Sequence, residues 1–147
     1  MPETLASAII PADAAAVWAV VRDFNGLPRW HPAIEHSDLE TPGDSVGAIR
    51  HLTLAGGGGE VREVLTALDD NARSLTYEIL DSPFAVRLYR STIRVVPVTT
   101  TGESFVEWSL VFDCDAADSD SLADFFSEQV FAAGLADLGA HFSTTVE

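Results

Sequence analysis

The stretch AIRHLTLAGGGGEVREVLTAL, residues 48–68, decides how the chain is read. Two apolar-rich runs flank glycines 56–59, the pattern of two strands joined by a turn. Side chains on a strand alternate between its faces. One face of the first strand then holds Ala48, Arg50, Leu52 and Leu54, and one face of the second holds Val61, Glu63, Leu65 and Ala67. Each otherwise apolar face carries one charge. A charge turned toward a dry core is costly unless it is paired. Opposite charges on neighbouring strands are therefore partners, or the walls of a wet pocket. The expectation is a sheet wrapped around a cavity lined by Arg50 and Glu63.

Outward from this hairpin the chain reads as more strands. Residues 34–40 form a polar strand before a Pro42-Gly43-Asp44 turn. Downstream, 74–80 alternates with Leu75, Tyr77 and Ile79 on one face. A long strand at 86–96 puts Tyr89, Ser91, Ile93 and Val95 together, with Arg87 at the same parity, and turns Arg90, Thr92 and Arg94 to solvent. Another at 104–114 points Val106, Trp108, Leu110 and Phe112 inward and Glu107 and Ser109 outward. At the N-terminus, 4–10 is an edge strand ended by Pro11. Asp13 then caps a helix over 13–24, stopped by Asn25-Gly26. A short helical turn at 27–30 precedes His31-Pro32, where proline breaks the helix.

The pattern changes at 121–142, which contains no proline. There Leu122, Phe125, Phe126, Val130, Phe131, Leu135, Leu138 and Phe142 recur at helical spacing. The expected fold is α+β: a seven-stranded curved antiparallel sheet around one long C-terminal helix, with two short helices after strand 1. The whole chain, 1–147, is expected to be a single domain.

Composition narrows the classes. The net charge is −15, and all eight cationic side chains are arginines, with no lysine. Such a chain repels nucleic acid and anionic lipid surfaces, so neither is an expected partner. No apolar run reaches the roughly 18 residues of a membrane span, and the first ten residues carry no signal-type pattern. A cytoplasmic protein is expected, monomeric or homodimeric. The lone Cys114 rules out an internal disulfide and is read as buried filler. No spacing of His, Cys and Asp matches a zinc or iron–sulfur site, so no metal and no cofactor is expected. Glycines 56–59 join two strands and lack the following Lys-Ser/Thr, so they are a turn or a mobile lid and not a phosphate loop. No G-x-S-x-G element is present.

The order of elements resembles the helix-grip fold of the START/Bet v 1-like (SRPBCC) superfamily. The runs VWAVVRDFNGLPRWHPAI, GAIR around Arg50, EVREVLTALDD, SLTYEI, VRLYRSTIRVVPV and VEWSLVFD resemble its polyketide cyclase/dehydrase-type branch, and within that branch lachrymatory factor synthase-like proteins. The likeness runs from about Ile9 to Asp113, and the final helix fits in type. The resemblance implies that Arg50 and Glu63 occupy the synthase's polar-pair positions and that Tyr77 and Tyr89 match its cavity tyrosines. The synthase's lid and hairpin sequence is not reproduced, so its organosulfur substrate is not carried over.

Two readings of Arg50 and Glu63 stand. They are a structural ion pair tying two strands, or a catalytic pair in which Glu63 moves a proton and Arg50 anchors a carboxylate, enolate or sulfur–oxygen group. Tyr77, Tyr89 and Trp108 are core aromatics or the walls of a ligand site, with Leu52, Leu65, Ile79 and, from the helix, Leu135 beside them. Trp30 and His31 fall at an expected cavity entrance. His31 is read as an exposed histidine or as a gate that titrates near neutral pH. His51 points outward, and His36 and His141 are isolated. Three functions are carried forward. The first is a cofactor-free cyclase, dehydratase or isomerase; the second is a carrier or sensor of a small hydrophobic or amphipathic organic ligand; the third is an interaction module working through its outer surface.

Overall fold

The structure, a computed structural model, describes residues 1–143. The chain opens with β1 (Glu3–Ile10). Asp13 then caps α1 (Ala14–Arg22), its carboxylate accepting the Ala16 amide at 2.7 Å. A 3-10 helix follows at Phe24–Arg29. The remaining strands are β2 (Ile34–Leu39), β3 (Ile49–Leu54), β4 (Glu60–Asp69), β5 (Ser74–Asp81), β6 (Leu88–Val98) and β7 (Glu103–Asp113). They form one antiparallel sheet in the order β1-β7-β6-β5-β4-β3-β2, so only the β1–β7 pair joins strands distant in sequence. This is the expected helix-grip arrangement.

The C-terminal helix runs over 119–143 in three parts: α2 (Ser119–Phe125), a π-helical stretch (Phe126–Ala132) and α3 (Ala133–Ser143). The π stretch has a reason in the side chains. Phe126 and Phe131 are five apart and both fully buried. Residues five apart diverge on a regular α-helix, and the wider π turn brings both onto the sheet. Phe131 stacks on Trp108 with ring centres 4.8 Å apart. Phe126 meets Tyr89 at 5.1 Å and Phe112 at 5.6 Å.

Bulges bend the central strands. The register between β4 and β5 slips between Leu65 and Ala67, leaving Thr66 as an extra residue. Alternation resets there. Ala67, expected on the inner face, is exposed, and Leu68 packs on the core instead. A second slip, between Arg62 and Glu63, leaves Leu80 extra on β5. At the hairpin tip Gly56, Gly57 and Gly59 all have positive φ, between 68° and 105°, which explains a run of glycine. Arg87, expected inward by parity, lies before β6 starts; it is exposed and pairs with Asp113 at 3.0 Å and Asp115 at 2.7 Å. His36 is not isolated but bonds Asp38 at 2.9 Å. On the far side, Trp18 Nε1 and Arg22 Nε both donate to Asp70, at 2.9 and 2.6 Å, tying α1 to the β4–β5 turn.

Candidate functional site

Arg50 and Glu63 stand directly opposite each other on β3 and β4. Both are buried, 4% and 6% exposed. Arg50 Nε and Nη2 reach the same carboxylate oxygen, Glu63 Oε1, at 2.8 and 2.7 Å. Arg50 Nη1 donates to the Phe24 carbonyl at 2.7 Å. The guanidinium carbon lies 3.9 Å from the Phe24 ring centre and 4.9 Å from that of Tyr77. Every nitrogen of the guanidinium is thus engaged, and its flat faces meet aromatic rings. Burial raises the Glu63 carboxyl above the usual carboxylate range, and this outweighs the opposing pull of Arg50.

Beside the pair lies a cavity of about 350 Å³. Its sheet wall is Leu52, Leu54, Val61, Glu63, Tyr77 and Ile79, continued by Tyr89 and Trp108. Its roof is Phe125, Gln129 and Val130 of the helix, and Phe84 of the β5–β6 connection. His31, Leu27, Ala33 and Ile34 close the entry side, and Ala55 and Gly58 bring the glycine turn to the rim. Behind this wall Trp108 Nε1 donates to Ser91 Oγ at 3.0 Å and Tyr77 Oη at 3.2 Å. Burial lifts both tyrosine hydroxyls well above their usual range, so they stay protonated and serve as hydrogen-bonding groups, not bases.

The structure brings Glu63, Tyr77, Tyr89, Trp108, His31, Leu52 and Ile79 to one cavity. It does not bring Arg50, Trp30, Leu65 or Leu135 there. Arg50 and Trp30 border a separate void of about 10 Å³ deeper in the core. Trp30 Nε1 is the one buried side-chain nitrogen or oxygen without a hydrogen-bond partner among the described residues. Leu65 and Leu135, each 1% exposed, are filled core. Alternation identifies an inward face, but not whether the space before it is packed. Phe84, Phe125, Gln129 and Val130 escaped the sequence-based list. Gln129 was the available signal, a polar residue inside an otherwise apolar helical pattern.

His31 overturns the expectation of exposure: it is 2% exposed. Its Nε2 lies 2.7 Å from the Val130 carbonyl, and its Nδ1 accepts the Ala33 amide at 3.1 Å. A carbonyl only accepts and an amide N–H only donates. The ring is therefore neutral with its proton on Nε2. Burial lowers its pKa, more than the Val130 bond raises it. The ring clips the entry segment to the π stretch. Gly134 makes room for it, since a Cβ there would lie 2.6 Å from His31 Cδ2 and 3.0 Å from a Trp108 ring carbon.

A curved antiparallel sheet gripping a C-terminal helix over an internal cavity defines the chain as a helix-grip domain. It belongs to the polyketide cyclase/dehydrase and lipid transport family, whose profile matches residues 1–143. A curated relative is the abscisic acid receptor PYL10 of Arabidopsis thaliana, 29% identical over 134 residues, covering 88% of this chain and 73% of the receptor. Among solved structures, the protein XoxI of Bacillus cereus superposes with a TM-score of 0.89 at 33% identity, covering 100% of this chain and 99% of that one. A Thermobifida fusca protein gives 0.89 at 32%, covering 100% and 97%. A point mutant of Thalictrum norcoclaurine synthase shares the fold at a TM-score of 0.78 and 19% identity, covering 99% and 96%. Among the described residues no helix is long and apolar enough to cross a membrane, and no group of three or more His, Cys, Asp or Glu is placed to hold a metal ion.

Proposed function

We propose that the chain binds a small, largely apolar organic molecule in the cavity between the sheet and the π stretch. The cavity itself carries this reading. Its volume of about 350 Å³ lies within the roughly 300–1,000 Å³ of small-molecule sites, and its apolar wall with a few polar groups has their usual makeup. The family's description, which spans cyclases and lipid transport, supports it, as does a relative named as an abscisic acid receptor. The test is binding of the uncharged fluorophore phenylnaphthylamine, together with native mass spectrometry of freshly purified protein for a co-purifying molecule. Saturable binding is expected, weakened about tenfold or more (roughly 1.4 kcal/mol) by Ile79→Trp, which fills the wall. Equal binding by that variant would place the probe elsewhere and defeat the reading.

A second reading adds chemistry: Glu63 exchanges a proton with the bound molecule in a cofactor-free cyclisation, dehydration or isomerisation. The observation favouring it is a wall carboxyl whose Oε1 takes both Arg50 contacts while Oε2 takes none. Its raised pKa suits both giving and taking a proton. With a substrate in hand, Glu63→Gln is expected to bind phenylnaphthylamine within about threefold of the parent yet lose roughly 10²–10⁴ in turnover. An unchanged rate in that variant would leave only the carrier or sensor role.

A further inference from the structure

The charges around the cavity are arranged asymmetrically. Glu63 is the one ionisable acid on the wall, and neither arginine nor lysine lines it. The arginine that would balance it, Arg50, spends its nitrogens on Glu63 Oε1 and the Phe24 carbonyl. Its two faces are covered by the Phe24 and Tyr77 rings. It borders only the small void of about 10 Å³ deeper in the core. The other wall group able to carry a positive charge, His31, is held neutral by the Ala33 amide on Nδ1, with its proton committed to Val130. A carboxylate, sulfonate or phosphate entering this cavity would lose its hydration and meet no cation. An unpaired charge in such surroundings is costly. What the wall offers is an acceptor oxygen, Glu63 Oε2, with the Tyr89 hydroxyl on the same wall.

We infer that the cavity selects uncharged or basic ligands presenting a hydrogen-bond donor to Glu63, and rejects carboxylates and other anions. The sequence expectation of Arg50 as an anchor for an anionic group is replaced by this opposite polarity. The rest of the molecule reinforces it, since a net charge of −15 lowers the concentration of anions at the mouth and raises that of cations. The inference rests on the cavity's being the ligand site.

Three probes of nearly equal shape separate the possibilities: phenylbutylamine, phenylbutanol and phenylbutanoate. Each is titrated near neutral pH into the full chain with isotope-labelled valine and isoleucine methyl groups, so that Val61, Ile79 and Val130 report directly on occupancy. The amine and the alcohol are expected to bind, with the carboxylate weaker by about tenfold or more. In Glu63→Gln the gap between amine and carboxylate is expected to shrink severalfold. The comparison within the unaltered protein decides the matter even if that variant does not fold. Carboxylate binding equal to or tighter than the amine's overturns the polarity and leaves the cavity standing as a ligand site. Failure of all three to move the wall methyl signals overturns the ligand site and this inference with it.

Discussion

His31 joins three parts of the chain with one ring: the entry segment at Ala33, the π stretch at Val130 and the aromatic cluster at Trp108, whose ring lies edge-on 5.8 Å away. Because its folded pKa lies below the ordinary 6.5, its contribution to stability is complete above 6.5 and is lost as pH falls through the lower folded value. As the buffer is taken from neutral toward about pH 5, a range above the ordinary carboxylate values, His31 is expected to lower the melting temperature, while the raised Glu63 carboxyl, which takes up its proton in the folded state first, acts in the opposite sense. In His31→Gln, whose amide can still donate to Val130, that part of the slope should flatten. Calorimetry across this range checks it, and an unchanged slope in the variant would rule His31 out as the source. The sequence alone did not show this role. The Val130 bond spans 99 residues, and Trp30-His31-Pro32 has the look of a surface loop. Arg50 and Glu63, in contrast, were legible as an inward pair because two charges broke two apolar alternations. That Arg50 does not line the cavity was not, since the Phe24 carbonyl and ring that help hold it come from a different part of the chain.

At the scale of elements, the strands were readable wherever alternation ran unbroken, as along β7, and unreadable where a bulge reset it. Ala67 changed faces because Thr66 is extra, and nothing in the run EVLTAL announces that. The helix was legible as one amphipathic stretch. Its π segment shows only as the five-residue spacing of Phe126 and Phe131. Two helical glycines provide a matched test. At Gly134 a Cβ would strike the His31 and Trp108 rings at 2.6 and 3.0 Å. Gly134→Ala is expected to destabilise by about 1–3 kcal/mol, as overpacking does, against a helix-propensity gain of about 1 kcal/mol. At Gly139 the nearest atom to an added Cβ is Ile10 Cδ1 at 3.7 Å, an ordinary contact. Gly139→Ala should therefore gain up to about 1 kcal/mol. Urea titration of both variants measures the contrast; equal signs would mean the rings yield more easily than their packing implies.

For the molecule as a whole, 23 acidic side chains oppose eight arginines. Several arginines form exposed pairs, among them Arg62 with Glu40 and Arg22 with Asp70. Such pairs contribute about 0–1 kcal/mol each and weaken in salt. The uncompensated negative charges repel one another over the whole surface, and that repulsion is also screened, with a Debye length near 10 Å at 0.1 M. Repulsion outnumbers attraction here. The melting temperature is expected to rise when sodium chloride is taken from roughly 0.01 M, where the Debye length is about 30 Å, to roughly 1 M, where it is about 3 Å. A fall would mean that the arginine pairs dominate.

The π stretch has one more consequence. Its wider turn sets the phase between the half of the helix carrying Phe125 and the half carrying Leu135 and Leu138. Excising a single residue such as Ser127 would let the backbone relax into an ordinary α-helix, and the segment would gain local regularity. Phe126 and Phe131 would then stand four residues apart, about 40° around an α-helix of 3.6 residues per turn, so both would still meet the sheet and Phe125 would keep its place on the cavity roof. In this chain the irregular turn absorbs one extra residue; a helix straightened with that residue retained would instead turn its two halves out of phase by about 100°, the angular step of one residue, and unroof the cavity.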